Sequence, residues 1–368
     1  MFLDRFNRLR EGLENTGFDA AVVNPGATLT YLTGLSFHLM ERPVVLIYLP
    51  EKDPVLVLPE LEKEKLKTLP FAYQAFYYGD NPVERIGAFA AAEKALNFNG
   101  KKVAVEPIHL RFLELEYLKN AAPESKYADG SEIFDNLRIC KDTSELALMR
   151  EAVAIAQKAF LKLLPQVRVG KTELELANTL TTLLLECGSD PELPFQVILS
   201  GGPNSANPHA VPSSRALEAG DLVVVDWGAS HSGYASDLTR TLVMGKPSEE
   251  QTVIAMSVKA ANVSGRAAGK PGLRAGDVDK AARQEIENAG YGAYFTHRTG
   301  HGLGMEGHEP PYMFGENDEA LKPGMVYTVE PGIYLPGKYG VRIEDDVVVT
   351  AGGAETLSDL PRDLFVIE

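Results

Sequence analysis

Apolar residues in the first third of the chain occur in short runs that end at proline, glycine or charged positions. Phe6, Leu9 and Leu13 lie at helical spacing and predict an N-terminal amphipathic helix. Four further runs predict short β-strands, namely DAAVVNP, PVVLIYLP, PVLVLP and KKVAVEP. A helical pattern, NPVERIGAFAAAEKAL, separates the last two runs. These elements together predict a small α/β domain over residues 1–135.

A different pattern follows a predicted linker at residues 136–144 and extends over residues 145–368. It predicts four helices in two pairs, at about 143–164, 172–188, 250–268 and 277–289. Predicted strand pairs between and after these helices carry most of the polar residues. Helices in one set and antiparallel strands in another are typical of an α+β domain, which is the fold class that we expect.

The first pair of helices carries clear start and stop signals. Asp142 with Glu145, and Thr172 with Glu175, each have the three-residue spacing of a capping box. Gly188 follows the second apolar run and predicts its end, because glycine readily adopts the left-handed conformation of a helix terminus.

Two acidic residues belong to the first predicted hairpin. An apolar strand ends at Asp226, the chain turns through residues 230–233, and the return strand holds Asp237 at its middle. A hairpin can bring the two aspartates side by side. Asp226 alone fits an ordinary turn residue equally well. Asp237 lies among Leu, Thr and Val, where an unpaired buried charge is costly, so it needs a partner.

The second predicted hairpin carries two glutamates. Glu330 ends a strand before a Pro-Gly turn, and Glu344 lies inside the returning strand GVRIEDDVVVT. Arg342 is two residues from Glu344 and shares its strand face. The simpler alternative is an exposed Arg–Glu pair, which contributes under about 1 kcal/mol.

A glycine-rich segment, HRTGHGLGMEGHEPP, contains His297, His301 and His308, three of the seven histidines in the chain. Its spacing differs from the HExxH pattern of zinc-binding helices. We expect its glycines to let the backbone approach a ligand closely. Three histidines in such a turn indicate metal or proton chemistry.

Charge balance connects these segments. Four carboxylates, those of Asp226, Asp237, Glu330 and Glu344, can converge only if cations neutralise them. Two divalent ions carry four positive charges, so with His301 the set predicts a hydrolase with two metal ions.

Composition excludes several other classes of protein. Lys and Arg number 36 against 51 Asp and Glu, and the net charge of −15 argues against nucleic acid or an anionic membrane as a partner. The two cysteines, Cys140 and Cys187, suggest no disulfide framework and fit a reducing cytoplasm. The N-terminus lacks the apolar region of a signal peptide, and we expect no membrane span.

The motifs resemble those of the pita-bread metallopeptidases, in particular the prolidase and aminopeptidase P branch. The segments that carry the resemblance are NPHA, DWGASHSGYASDLTRT, HRTGHGLGMEGHEPP, VEPGIY and GVRIEDD. The N-terminal portion resembles the creatinase-type domain of that branch. The resemblance therefore implies a C-terminal pita-bread fold with an N-terminal creatinase-type α/β domain.

The resemblance also implies a role for each metal ligand. Asp226 binds the first ion, Asp237 and Glu344 bridge both ions, and His301 and Glu330 bind the second. Mn²⁺ suits these hard ligands best, with Co²⁺ or Zn²⁺ as alternatives.

The remaining site residues follow from the same resemblance. His209, His297 and His308 match the non-ligand histidines of the family, and Arg342 flanks the last glutamate. Tyr234 and Thr239 match hydrogen-bonding positions around the site. One departure is Gly307, where many relatives have Val or Ile, and it affects the wall of a substrate subsite.

The implied reaction is hydrolysis of an Xaa-Pro bond at a free N-terminus, with Glu330 as general base and His308 as oxyanion stabiliser. His209 and His297 orient the substrate, and Arg342 either anchors a carboxylate or supports the ligands. The main expectation is a homodimeric dipeptidase (prolidase) whose peptide has proline at its second position. An Xaa-Pro aminopeptidase acting on longer peptides is the alternative. Residues 36–42 are candidates for the wall that blocks longer peptides.

Two readings from other classes stay open at this point: a non-catalytic pita-bread binding protein, and an amidinohydrolase that works without metal.

Overall fold

The computed structural model describes residues 2–368 and divides the chain into two compact units, Met1–Arg138 and Ile139–Glu368. The helices of the first unit are α1 Phe2–Thr16, α2 Ala27–Thr33, α3 Pro82–Leu96, α4 Phe112–Ala121 and α5 Ser131–Arg138. Its strands are β1 Ala20–Val23, β2 Val45–Tyr48, β3 Val55–Pro59, β4 Gln74–Tyr78, β5 Lys102–Val105 and β6 Lys126–Asp129.

The first unit is built on one six-stranded mixed sheet with the order β4-β3-β2-β1-β5-β6. The apolar runs of β1, β2 and β3 are completely buried, as expected for strands that are covered on both faces. The predicted N-terminal helix is confirmed, with Phe6, Leu9 and Leu13 buried on one side. Strands β4 and β6, which are more polar, were not anticipated by the apolar runs.

The second unit contains the four predicted helices. They are α6 Thr143–Leu163, α7 Glu173–Cys187, α8 Glu249–Ala268 and α9 Ala275–Asn288. Both predicted capping boxes are confirmed, since the side chains of Asp142 and Thr172 each accept a hydrogen bond from the backbone three residues later. Gly188 ends α7 in the left-handed conformation.

The strands of the second unit form several sheets. They are β7 Ile198–Gly201, β8 Leu222–Trp227, β9 Ser230–His231, β10 Tyr234–Ala235, β11 Leu238–Met244, β12 Gly300–Gly302, β13 Glu309–Met313, β14 Val326–Val329, β15 Gly332–Leu335, β16 Tyr339–Arg342, β17 Asp345–Thr350, β18 Gly353–Thr356 and β19 Phe365–Ile367. One sheet has the order β19-β11-β8-β7, and another has the order β13-β12-β14-β17-β18. An isolated bridge between Thr239 and Glu344 joins β11 to the segment before β17, so the two sheets meet at that point.

Two local predictions were wrong in detail. Asp237 does not lie at the middle of a strand but in the break between β10 and β11. The Pro-Gly dipeptide at 331–332 is not a hairpin turn, because β14 continues into β15 and the chain reverses at residues 336–338. Strand β14 pairs with β17 and β15 pairs with β16, so Glu330 and Glu344 occupy the two breaks where the strands change partners.

Among residues 2–368, no helix combines the length and the apolar character that a membrane crossing requires. Cys140 and Cys187 are both free thiols.

Candidate metal centre

The residues predicted as metal ligands or catalytic groups number nine, and all nine lie in the second unit and line one cavity of about 330 Å³. The lining includes Asp226, Asp237, His301, Glu330, Glu344, His209, His297, His308 and Arg342. Because Glu330 was assigned both roles, these nine residues are the complete set of metal-ligand and catalytic predictions.

The two aspartates lie on neighbouring segments of the first hairpin. Asp226, near the end of β8, pairs across the strands with Thr239 of β11. Asp237 lies two residues before Thr239, in the break before β11, and lines the same cavity as Asp226. Thr239 Oγ1 donates a hydrogen bond of 2.6 Å to Glu344 Oε2, which holds the second hairpin against the first.

Glycines bring the histidine segment against neighbouring backbone. A Cβ on Gly300 would lie 1.9 Å from the Thr328 carbonyl oxygen, and one on Gly302 would lie 2.2 Å from that of Pro310. We expected these glycines to let the backbone approach a ligand, and at these two positions that expectation is wrong. Here the missing side chains let neighbouring strands approach closely. A bulge between His301 and Gly302 interrupts the pairing of β12 with β13.

His301 has one ring nitrogen fixed and the other directed at carboxylates. Its Nδ1 is 3.1 Å from the Gly302 carbonyl oxygen, which can only accept, so Nδ1 carries the proton. Burial lowers the pKa of His301 to about 3, so the ring is neutral. Nε2 keeps its lone pair and lies 3.4 Å from Glu330 Oε1 and 3.7 Å from Asp237 Oδ2. This is the tautomer that a metal ligand requires.

The carboxylates are crowded and buried. Burial, and then the charge of Glu344, raises the pKa of Asp237 well above its usual range. Burial, and then the charge of Glu330, does the same for the pKa of Glu344. Burial also raises the pKa of Glu330 to about 7. The cluster therefore resists carrying its full negative charge without added cations.

The donor set fits divalent cations. Three groups of side chains each bring three ligand atoms within 4.8 Å of one another: Asp226–Asp237–Glu344, His301–Glu330–Glu344 and Asp237–His301–His308. Asp226 Oδ1 is buried and has no hydrogen-bond partner among the described residues, although a buried carboxylate oxygen normally has one. Carboxylate oxygens with a neutral imidazole suit Mn²⁺, Co²⁺ or Zn²⁺.

Arg342 is the cation at the base of the cavity. It donates through Nη2 to Asp226 Oδ2 at 2.6 Å and through Nε to Thr239 Oγ1 at 3.2 Å. Its Nη1 donates to the Pro208 carbonyl at 3.1 Å and to the Tyr334 hydroxyl at 3.0 Å. With these four bonds and a side chain 3% exposed, Arg342 is committed to the protein and holds Asp226, one of the predicted ligands.

The other three histidines have different surroundings. Burial lowers the pKa of His297 to about 4, and its Nδ1 donates to the Arg298 carbonyl at 2.8 Å. Its Nε2 therefore accepts from the Tyr334 hydroxyl at 2.9 Å. The ring of His308 stacks on that of His301, with centroids 3.6 Å apart. His209 is an exposed residue of the cavity wall.

Sequence reasoning missed Arg298, which also lines the cavity. Its guanidinium lies 4.4 Å from the centre of the Tyr312 ring, and its Nη2 is 3.4 Å from His308 Nδ1. No carboxylate among residues 2–368 forms an ion pair with it, in contrast to the carboxylate bond of Arg342. Its position directly after His297 was the only available signal.

Two further predicted positions have other partners. The Tyr234 hydroxyl donates to Glu145 Oε1 at 2.7 Å and lies outside the cavity lining. Gly307 faces Pro194, whose carbonyl oxygen would be 3.5 Å from an added Cβ. Asp346, which was not predicted, accepts a hydrogen bond from the backbone N–H of Asp237 at 3.1 Å.

Comparison with known proteins gives matches along nearly the whole chain. Residues 147–351 match metallopeptidase family M24, and residues 5–140 match the creatinase/prolidase N-terminal domain. The Xaa-Pro dipeptidase of Lactobacillus helveticus is 34% identical over 365 residues, which cover 98% of each chain.

Solved structures agree with these matches. A recombinant prolidase from Thermococcus sibiricus aligns with a TM-score of 0.94 at 35% identity, over 100% of this chain and 99% of that one. An X-Pro aminopeptidase from Thermotoga maritima aligns with a TM-score of 0.86 at 30% identity, over 98% of this chain and 99% of that one.

Proposed function

Because this chain belongs to metallopeptidase family M24 and is a peptidase, we propose that it hydrolyses Xaa-Pro dipeptides at a centre of two divalent metal ions. The observation that carries the proposal is the pair of ligand groups that share Glu344. One group joins Asp226 and Asp237 to Glu344, and the other joins His301 and Glu330 to it. Membership of a peptidase family argues against the alternative of a non-catalytic pita-bread binding protein.

Bound divalent ions would lower the pKa of a water molecule to about 7 and polarise the scissile carbonyl. The protein supplies the rest. Glu330 Oε1 would take the proton of the attacking water, because Glu330 lines the cavity and bound cations would keep its carboxylate ionised and able to accept a proton. Thr328 Oγ1 lies 3.3 Å from the same oxygen and orients it.

His308 would stabilise the oxyanion. Its Nδ1 faces Arg298, which can only donate, so in the neutral ring the proton is on Nε2. Burial lowers the pKa of His308, which favours that neutral donor form. A single well-placed donor of this kind contributes on the order of 10²–10³ in kcat.

The groups that line the substrate side of the cavity could bind the proline ring and the free carboxylate of a dipeptide. An Xaa-Pro bond lacks an N–H group, so recognition depends on groups around the ring and its carboxylate. His297 and the exposed His209 would flank the proline. Arg342 is saturated with protein acceptors, whereas Arg298 has no carboxylate partner in the described chain and would meet the free carboxylate of a dipeptide.

The Xaa-Pro aminopeptidase is the second candidate, and the similarity to the Thermotoga maritima enzyme supports it. The two activities differ in whether the space beyond proline is open. We propose a homodimer in which residues 36–42 of one subunit limit that space in its partner.

A peptide-length series tests both candidates. The protein is loaded with Mn²⁺, Co²⁺ or Zn²⁺ and given Ala-Pro, Ala-Pro-Ala, Ala-Pro-amide and Met-Ala. A dipeptidase cleaves Ala-Pro at least ten times faster than Ala-Pro-Ala, whereas an aminopeptidase reverses the order. Cleavage of Met-Ala without cleavage of any proline peptide would reject the proline specificity. Peptide cleavage that persists after chelation would reject the proposed metal centre.

A further inference from the structure

The segment 296–298, which carries His297 and Arg298, has open space on two sides. Both residues line the catalytic cavity, and both also line a second cavity of about 420 Å³. Phe295 before the segment is 3% exposed and Thr299 after it is fully buried, but Thr296 between them is exposed. Close packing therefore fixes Phe295 and Thr299 more firmly than it fixes the exposed Thr296 between them.

An ion pair on α9 holds this segment through its backbone. Asp279 and Arg283 are one helical turn apart and form two bonds of 3.1 Å, and Asp279 is 3% exposed. Arg283 donates to the carbonyl oxygens of Phe295 at 3.0 Å and His297 at 2.8 Å. Asp279 Oδ1 accepts from the N–H of Thr299 at 3.0 Å and from its hydroxyl at 2.8 Å.

The pair thus binds the segment at both ends with charge-assisted hydrogen bonds, which are stronger than neutral ones. The guanidinium of Arg283 also lies 4.3 Å from the centre of the Phe295 ring, which fixes its orientation. The Thr299 carbonyl in turn accepts from the Glu330 N–H at 2.8 Å. The α9 pair is therefore connected to the substrate-facing residues and to one predicted ligand.

We propose that Asp279 and Arg283 are positioning residues for substrate binding, acting through His297 and Arg298. The proposal depends on the proposed function in one respect, which is that Arg298 binds the carboxylate of a peptide. Neither residue of the pair contacts the reacting atoms. Their contribution is to hold the backbone of a segment that has a cavity on each of two sides, so that its two side chains stay in place. A small displacement of such groups lowers affinity or rate strongly.

Arg283→Lys and Asp279→Asn test the proposal, because each nearly keeps the size of the side chain. The first removes the forked guanidinium group, and the second removes the negative charge. Arg283→Lys should raise KM for Ala-Pro about tenfold, with kcat changed less than threefold and metal content unchanged. The matched controls are Arg274→Lys and Asp277→Asn, an exposed ion pair of 2.8 Å on the same helix that does not line the cavity. These controls should leave KM unchanged.

A mutant cycle separates positioning from general damage. If Arg283 acts through His297 and Arg298, then Arg283→Lys should add at most a twofold increase in KM to a variant that already carries both His297→Asn and Arg298→Gln. Full additivity of the two KM effects, or an equal loss of kcat and metal content in the single variant, would overturn the proposal.

Hydrogen exchange gives a readout that needs no turnover. The Thr299 amide donates both to Asp279 and to the Met313 carbonyl oxygen at 3.0 Å. Asp279→Asn should therefore accelerate its exchange about threefold, because a neutral oxygen replaces the charged acceptor, and should leave the amides of α6 unchanged. Unchanged exchange at Thr299 would overturn the positioning role. If the wild-type protein cleaves no Xaa-Pro peptide, the proposed function fails, and the exchange result still decides the positioning role.

Discussion

Arg342 Nη2 donates a 2.6 Å hydrogen bond to one oxygen of Asp226, while the other oxygen of Asp226 is buried without a hydrogen-bond partner in the described chain. Asp226 is therefore paired with the permanent cation of Arg342 through one oxygen, and its other oxygen is available to bind a second cation. This arrangement makes Arg342 part of the charge balance of the ligand cluster.

Arg342→Met should lower the free energy of unfolding of the metal-free protein by about 3–5 kcal/mol, because it leaves Asp226 buried without its ion-pair partner. Denaturant unfolding in the presence of a chelator measures the change. Arg150→Met is the control, since its ion pair with Glu355 is exposed and should contribute under about 1 kcal/mol. Equal losses in the two variants would contradict a buried electrostatic role.

Single substitutions should remove the metal ions selectively. His301→Ala disrupts the group around Glu330 and should reduce the content to about one ion per chain, because the group of Asp226 and Asp237 stays intact. Glu344→Ala should remove both ions, since Glu344 belongs to both groups. Metal analysis after gel filtration counts the ions. Retention of two ions in Glu344→Ala would show that the two groups are independent of that residue.

The stability of the metal-free protein should fall as pH rises from about 6.5 to 8.5. Folding raises the pKa of Glu330 to about 7 and the pKa of Glu344 well above its usual range, so in this window the native state holds more protons than the unfolded state. Each extra proton gives a slope of about 1.4 kcal/mol per pH unit. Below about pH 6.5 the lowered pKa values of His297 and His301 act with the opposite sign.

Unfolding curves at pH 6.5, 7.5 and 8.5 with a chelator check this slope. Saturating Mn²⁺ should abolish it, because bound cations keep the carboxylates ionised. Stability that increases with pH across this window would contradict the crowding of the carboxylates.

Arg298→Gln should raise KM for Ala-Pro by about 10- to 100-fold, the loss expected for a hydrogen bond to a charged group. The KM for Ala-Pro-amide, which has no carboxylate, should change little. Lys280→Gln serves as the control, because Lys280 lines the second cavity and not the catalytic one. An equal effect on the acid and the amide would assign the substrate carboxylate to another group.

The sequence anticipated the helices of the second unit well because their signals are local. The capping boxes at Asp142 and Thr172 and the glycine at 188 act over three or four residues, and each is present in the structure. The clustering of the acidic hairpins with His301 was also predictable, because burial of several charges admits few other solutions.

The strand breaks at Asp237, Glu330 and Glu344 could not be predicted in the same way. They depend on which strand pairs with which, and pairing between distant segments leaves no short-range signal. Arg298 was missed for a related reason, since its lack of a carboxylate partner is a property of the assembled cavity.

The chain reversal between β15 and β16 has a practical consequence. Residues 336–338 are exposed at the end of a two-stranded ribbon whose opposite end leads into Glu330 and Glu344. A cysteine-linked fluorophore at this tip would be rigidly attached to the catalytic scaffold without entering the cavity. Residues 336–338 are therefore a suitable attachment site for immobilising the enzyme on a surface or for measuring its motions by fluorescence energy transfer.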